Sequence, residues 1–330
     1  MSKRFFKMAV ALILTTATLL CSCGTSGTEN GKEESYTSLD GKKVIFIGNS
    51  FVYYGQVVLE KTQKYLKQSS RENDKGYFNQ LCLENGENVN VTNFTFGGHK
   101  LSDFYSGNCT ADRGCDGVDH FSYITDKYYD YVCISAGSGE KSSTGFMDDM
   151  EHIMSFFREA NPNVKFVYLC NHSAHGIAND PNRAPQSNVL ASLKELEAQG
   201  VIIVDWGKIV RDCIDSGMIE GGSIPCNKNS FIIRKSASDG YHQNQLSGYI
   251  TAVMTYCAIT GRSAIDQPYE FCGNGAVRGE YSSLTYISKY YCYDGATTNY
   301  TDILASVSEM TALRAMIDKY LKEKPYLNYE

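Results

Sequence analysis

Residues 43–50 read KVIFIGNS: four apolar side chains in succession, Val44, Ile45, Phe46 and Ile47, then Gly48, Asn49 and Ser50. An apolar run without polar alternation fits a strand buried on both faces, the usual state of a strand in a parallel sheet covered by helices. Gly48 permits a tight turn as the run ends. Ser50 then stands just beyond the carboxyl end of the strand, which is where open α/β sheets place their ligands.

Similar runs recur outward from this one. Residues 90–96 alternate in the strand manner, and residues 131–135, 164–170 and 201–205 are further short apolar segments. Longer segments with helical spacing fall between them, at residues 56–68, 146–160, 187–199, 207–216 and 243–260. Asn161-Pro162-Asn163, Gly200 and Gly261 supply stop signals for three of them. Five strands separated by helices predict an α/β fold, a three-layer α/β/α sandwich with a mostly parallel five-stranded, flavodoxin-like sheet. Residues 104–120, 171–187 and 219–234 are longer than simple connections and are expected to wall a substrate cleft.

With 330 residues, 42% of them hydrophobic, the chain can bury one large core. A net charge of −6 supplies no basic stripe, which excludes nucleic acid as an expected partner. The N-terminus reads as a targeting segment. Lys3, Arg4 and Lys7 precede an apolar stretch at residues 8–20 that is short for a membrane span. Leu20-Cys21-Ser22-Cys23-Gly24 resembles a bacterial lipobox, with Cys23 the lipidated residue and Cys21 a minor alternative. The expectation is a signal peptide over residues 1–22, a tether over 23–41 rich in Gly, Ser, Thr, Glu and Lys, and a domain over 42–330. Removal of residues 1–22 takes three basic residues and no acid, so the net charge moves from −6 to −9. The expected location is therefore extracytoplasmic, with the bacterial membrane held by the lipid and not by the protein surface.

Of the twelve cysteines, Cys109 and Cys115 share a loop and form the expected local pair, while Cys133 and Cys170 sit in apolar runs as buried free thiols. The absence of CxxC pairs argues against a structural zinc site.

A serine hydroxyl attacks only when a base takes its proton. Residues 238–242 read SDGYH, just before the last long apolar helix. Asp239, three residues before His242 across a turn with Gly240, can accept from one imidazole nitrogen and leave the other as base. Asp149 and His152 repeat the spacing inside an amphipathic helix, where they read as a solvated pair.

These residues carry a resemblance. Residues 43–55, KVIFIGNSFVYYG, resemble the first block of SGNH, or GDSL-type, hydrolases, with Asn49 where Asp is common. Residues 239–248, DGYHQNQLSG, resemble the last block, and residues 96–101, FGGHKL, the second. The resemblance spans residues 42–262 and implies Ser50 as nucleophile, His242 as base and Asp239 as its orienter. It also implies an oxyanion hole from the amides of Ser50 and Gly98, no metal or organic cofactor, and a small ester or acylated glycan as substrate. Asn49, His99, Ser138 and Asn171 are the candidate pocket residues, with simple packing an equal reading for His99. The family's third block, Gly-x-Asn-Asp, is replaced by Gly137-Ser138-Gly139-Glu140, so Gly139 stands where an oxyanion-binding Asn is usual. Loss of such a donor costs about 100- to 1000-fold in turnover. Ser138 or Asn171 is the expected substitute. The alternative function is a catalytically impaired surface lipoprotein that binds a glycan on the same scaffold.

Gly137-Ser138-Gly139 lacks the full GxSxG elbow, because residue 136 is Ala. His172 and His175 follow the fourth strand and read as surface or cleft-lining; a zinc site there needs a third ligand that the sequence does not identify. The tyrosines of residues 281–293 are expected to pack within a C-terminal extension of about residues 265–330.

Overall fold

The structure, a computed structural model, describes residues 36–58, 74–106, 119–137, 140, 143–177, 184–219, 224–225, 231, 242–269 and 307–329. Five strands, β1 (Lys43–Gly48), β2 (Asn90–Thr95), β3 (Tyr131–Ile134), β4 (Lys165–Leu169) and β5 (Ile202–Val204), form one sheet in the order β2-β1-β3-β4-β5. Every pairing in it is parallel. This is the flavodoxin-like order, with chain direction across the sheet reversing at β1 and β3.

Eight helices accompany it among the described residues: α1 (Ser50–Tyr53), α2 (Tyr77–Glu84), α3 (Asp103–Ser106), α4 (Ser143–Arg158), α5 (Ser187–Ala198), α6 (Trp206–Ser216), α7 (Gln245–Thr260) and α8 (Val307–Glu323). Strand alternation sorts the core into two clusters. Val44, Phe46, Val91, Cys133, Val167 and Val204 meet α2, α6, α7 and α8 on one face. Ile45, Ile47, Phe94, Val132, Ile134 and Ile203 meet α4 and α5 on the other. The fold is thus a three-layer α/β/α sandwich, and its strands are continuous apolar runs because both faces are covered.

α7 is buried almost along its whole length. Its polar residues are accommodated internally: the hydroxyls of Thr251, Thr255 and Thr260 donate to the carbonyls of Ser247, Thr251 and Tyr256.

Several expectations need adjustment. Residues 37–41, assigned to the tether, pack on the domain. The Thr37 amide donates to Thr260 O at 2.9 Å, and Leu39 is wholly buried with its amide on Glu87 Oε1. The helix expected over residues 56–68 does not begin at Gln56. A 3₁₀ turn over Tyr54–Gln56 carries positive φ at Gly55 and Gln56, and residues 59–68 lie outside the described set. α2 was not anticipated. The 219–234 insertion touches a small antiparallel pair, β6 (Met218–Ile219) with β7 (Ile224–Pro225). Cys133 and Cys170 are buried free thiols as expected, together with Cys82, Cys213 and Cys257. Cys23, Cys109, Cys115 and residues 281–293 lie outside the described residues.

Candidate active site

β1 ends at Gly48, where a side chain has no room: a Cβ would stand 2.9 Å from Val52 Cγ2 and 3.1 Å from the Ser135 carbonyl. Asn49 follows in extended backbone and caps α1, its Oδ1 accepting from the Phe51 amide at 3.0 Å. Ser50 is thereby set at the first position of a one-turn helix, at the carboxyl edge of the sheet. Its Oγ lies 2.9 Å from Nε2 of His242, 192 residues away in sequence. That is within reach for transfer of the hydroxyl proton.

His242 enters from the segment before α7. Asn244 caps that helix through Ser247 N, and its own amide is held by the Phe231 carbonyl. The imidazole stacks on Tyr54, with ring centroids 4.1 Å apart and planes within 14°. Phe51 packs on His242 at 5.9 Å and edge-on against His172 at 5.2 Å.

The segments bearing Ser50 and His242 are pressed together by two glycines. A Cβ on Gly55 would meet Asn244 O at 2.5 Å, and one on Gly248 would meet Gly55 O at 1.8 Å. Gly55 also needs its positive φ of 77°. This backbone contact fixes the start of α7 against the end of α1, and with it the Ser50–His242 distance.

The ends of β1, β2 and β3 converge on Asn49. Its Nδ2 donates to the His99 carbonyl at 3.0 Å, and Gly137 lies against the same bridge, where a Cβ would fall 2.7 Å from His99 O. Glu140 joins the second and third loops, its Oε1 accepting from Leu101 N at 2.9 Å. Burial pushes the Glu140 carboxyl above the usual glutamate range, with the Leu101 amide opposing it in part.

The other predicted residues divide. Gly98 is exposed at a turn with φ 71°. His99 is fully buried among Phe96, Phe104 and His120, so it packs and does not line a pocket. Asn171 is committed to structure: its Nδ2 donates to Ala136 O and its Oδ1 accepts from the Ser173 and Ala174 amides. His172 and His175 are buried as well, contrary to the surface or cleft-lining reading. Ser138, Gly139 and Asp239 lie outside the described residues. Asp149 and His152 are on α4 and both engage Tyr105, through its hydroxyl and its ring face. Sequence reasoning missed Tyr54 and Gly248. Both lie inside the quoted blocks, but nothing in one sequence marks which tyrosine faces a histidine across the fold.

No family model matches the chain, and no curated protein matches it at a significant level. Among solved structures the chain is similar to several. An acetylxylan esterase from Geobacillus stearothermophilus is 18% identical with a TM-score of 0.44, over 68% of this chain and 96% of that one. A protein described as a GDSL-like lipase, from Parabacteroides merdae, is 14% identical with a TM-score of 0.42, over 68% and 97%. A carbohydrate esterase family 2 enzyme from Corynascus thermopiles is 14% identical with a TM-score of 0.40, over 68% and 67%. The chemistry assigned below rests on Ser50 and His242, not on these likenesses.

Proposed function

We propose that the chain is a serine esterase of the SGNH type. The observation that carries this reading is the 2.9 Å contact between Ser50 Oγ and His242 Nε2 at the carboxyl edge of a parallel sheet. In the reaction His242 takes the Ser50 proton as Oγ attacks the acyl carbon, then returns it to the departing alcohol. Water, activated by the same imidazole, releases the acyl group. Asp239, three residues before His242, is assigned the orienting role, and the amides of Ser50 and Gly98 receive the oxyanion. With Gly139 in the third block and the Asn171 side chain engaged elsewhere, Ser138 is left as the side chain to assist these two amides.

The substrate class we propose is a short acyl ester on an extracellular carbohydrate. It is supported by the export signal, by the tyrosine-rich composition and by Tyr54, a part-exposed ring beside the base. Lipid attachment at Cys23 belongs to the same proposal. The test is hydrolysis of p-nitrophenyl acetate by the domain from residue 24 onward, beside Ser50→Ala. Turnover in the parent that falls to background in the variant is the expected result. Turnover unchanged by Ser50→Ala would remove Ser50 from the mechanism. Background rates in both, on acetylated glycans as well, would favour the binding protein.

A further inference from the structure

The carboxyl ends of β4 and β5 hold a second polar cluster that the Ser50–His242 reaction does not use. Cys170 follows β4, His175 lies in the loop beyond it, and Asp205 follows β5 and opens α6. One donor atom from each, a thiol sulfur, an imidazole nitrogen and a carboxylate oxygen, lie within 4.8 Å of one another, and all three residues are buried. His175 Nε2 is 2.7 Å from Asp205 Oδ1, and the Tyr329 hydroxyl donates to Asp205 Oδ2 at 2.5 Å. The surrounding backbone is tight. The Gly207 amide donates to Cys170 O, and a Cβ on Gly207 would fall 2.5 Å from Asn171 O and 2.7 Å from His175 Cδ2.

A buried carboxylate needs positive charge nearby. Among the described residues no lysine or arginine pairs with Asp205; the Lys208 ammonium goes to Asp212 instead. A thiol adds little to a His–Asp pair, being a weak donor. Beside an imidazole and a carboxylate, however, it completes the mixed S, N, O set that borderline-soft cations take. The Tyr168 side chain is buried on the same face of β4 as Cys170, and among the described residues its hydroxyl has no hydrogen-bond partner.

We propose that Cys170, His175 and Asp205 bind a divalent transition-metal ion, zinc by preference, with the Tyr329 oxygen or a water as fourth ligand. On binding, the Cys170 thiol releases its proton to solvent, and the thiolate and carboxylate balance the two positive charges. Tetrahedral zinc with bonds of about 2.0–2.3 Å sets its ligand atoms about 3.3–3.7 Å apart. The His175–Asp205 pair, at 2.7 Å, therefore opens by about 0.6 Å and the sulfur closes in. The ion would tie the loop after β4, whose His172 meets Phe51 beside the nucleophile, to the end of β5.

The test uses the exported chain as isolated, and cobalt(II) as probe because a thiolate ligand gives it a diagnostic charge-transfer band. Since the sequence has twelve cysteines, the parent is compared with Cys170→Ser and His175→Gln. Expected are about one zinc per chain on elemental analysis, a thiolate–cobalt band in the parent that both variants lose, and a melting temperature that falls with a strong chelator and recovers with zinc. Should Cys170→Ser fail to fold, His175→Gln, which keeps a donor to Asp205, carries the comparison. A parent without the band, or a band that survives in the folded variants, overturns the proposal, as does a melting temperature indifferent to chelator and zinc. Each outcome is independent of whether Ser50→Ala abolishes ester hydrolysis.

Discussion

Asn49 performs two tasks that a carboxylate at the same position could not combine. Its oxygen accepts from the Phe51 amide to start α1, and its NH₂ donates to the His99 carbonyl. An aspartate would keep the first contact and turn the second into two facing acceptors. Asn49→Asp is therefore expected to cost about 1–3 kcal/mol in urea unfolding, the usual range for a buried acceptor left unsatisfied. An unchanged midpoint would show that the His99 carbonyl finds another donor. The local meaning of residues 43–50 was open to reading, since a buried strand, a tight turn and a serine are properties of consecutive residues. The meaning of the histidines was not. His172 and His175 follow a strand much as Ser50 does, yet their burial depends on Phe51, Trp206 and Asp205, which belong to other segments.

At the scale of elements, the close approach of the chain at Gly55 and Gly248 decides how α7 meets α1. Gly248→Ala places a Cβ 1.8 Å from a backbone oxygen, so the helix must shift. Overpacking of this kind costs about 1–3 kcal/mol or more. The shift moves His242 relative to Ser50, and esterase activity per folded molecule is expected to fall along with stability. Gly261→Ala is the control. Its φ of 78° carries a conformational cost, but nothing lies within 4 Å of the added carbon, so activity per folded molecule should hold. The strands and α4, α5, α6 and α7 were legible in the sequence because their apolar spacing is regular and several of their ends carry Gly or Asn-Pro. α2 was not, because it buries Asn79 and Gln80 and so breaks the periodic pattern. α8 buries Met310, Leu313, Ile317 and Tyr320 at helical spacing, in a stretch outside the recognised blocks.

For the molecule as a whole, buried acids set a pH dependence of stability. Burial raises the Glu140 carboxyl above its ordinary value of 4.5, and burial likewise raises Asp149. As the pH rises from that ordinary value through the raised one, the folded state still holds protons that the unfolded chain has released. Its stability therefore falls across this window and is greatest below it for these groups. Glu140→Gln keeps an acceptor for the Leu101 amide and removes the titration. Urea midpoints measured against pH should decline less steeply in the variant than in the parent, with Asp149 supplying a residual slope. Identical slopes would show that Glu140 does not titrate differently in the two states.

The 192-residue separation between Ser50 and His242 has a further consequence for the chain as it is made. Contacts between distant segments close late and slowly, since the intervening loop must first be paid for in entropy. Until α7 has docked under Gly55 there is no imidazole beside the serine, so a nascent chain carries an inert hydroxyl. The Ser50–His242 pair comes into being only with the finished tertiary structure, so turnover that depends on Ser50 would report complete folding.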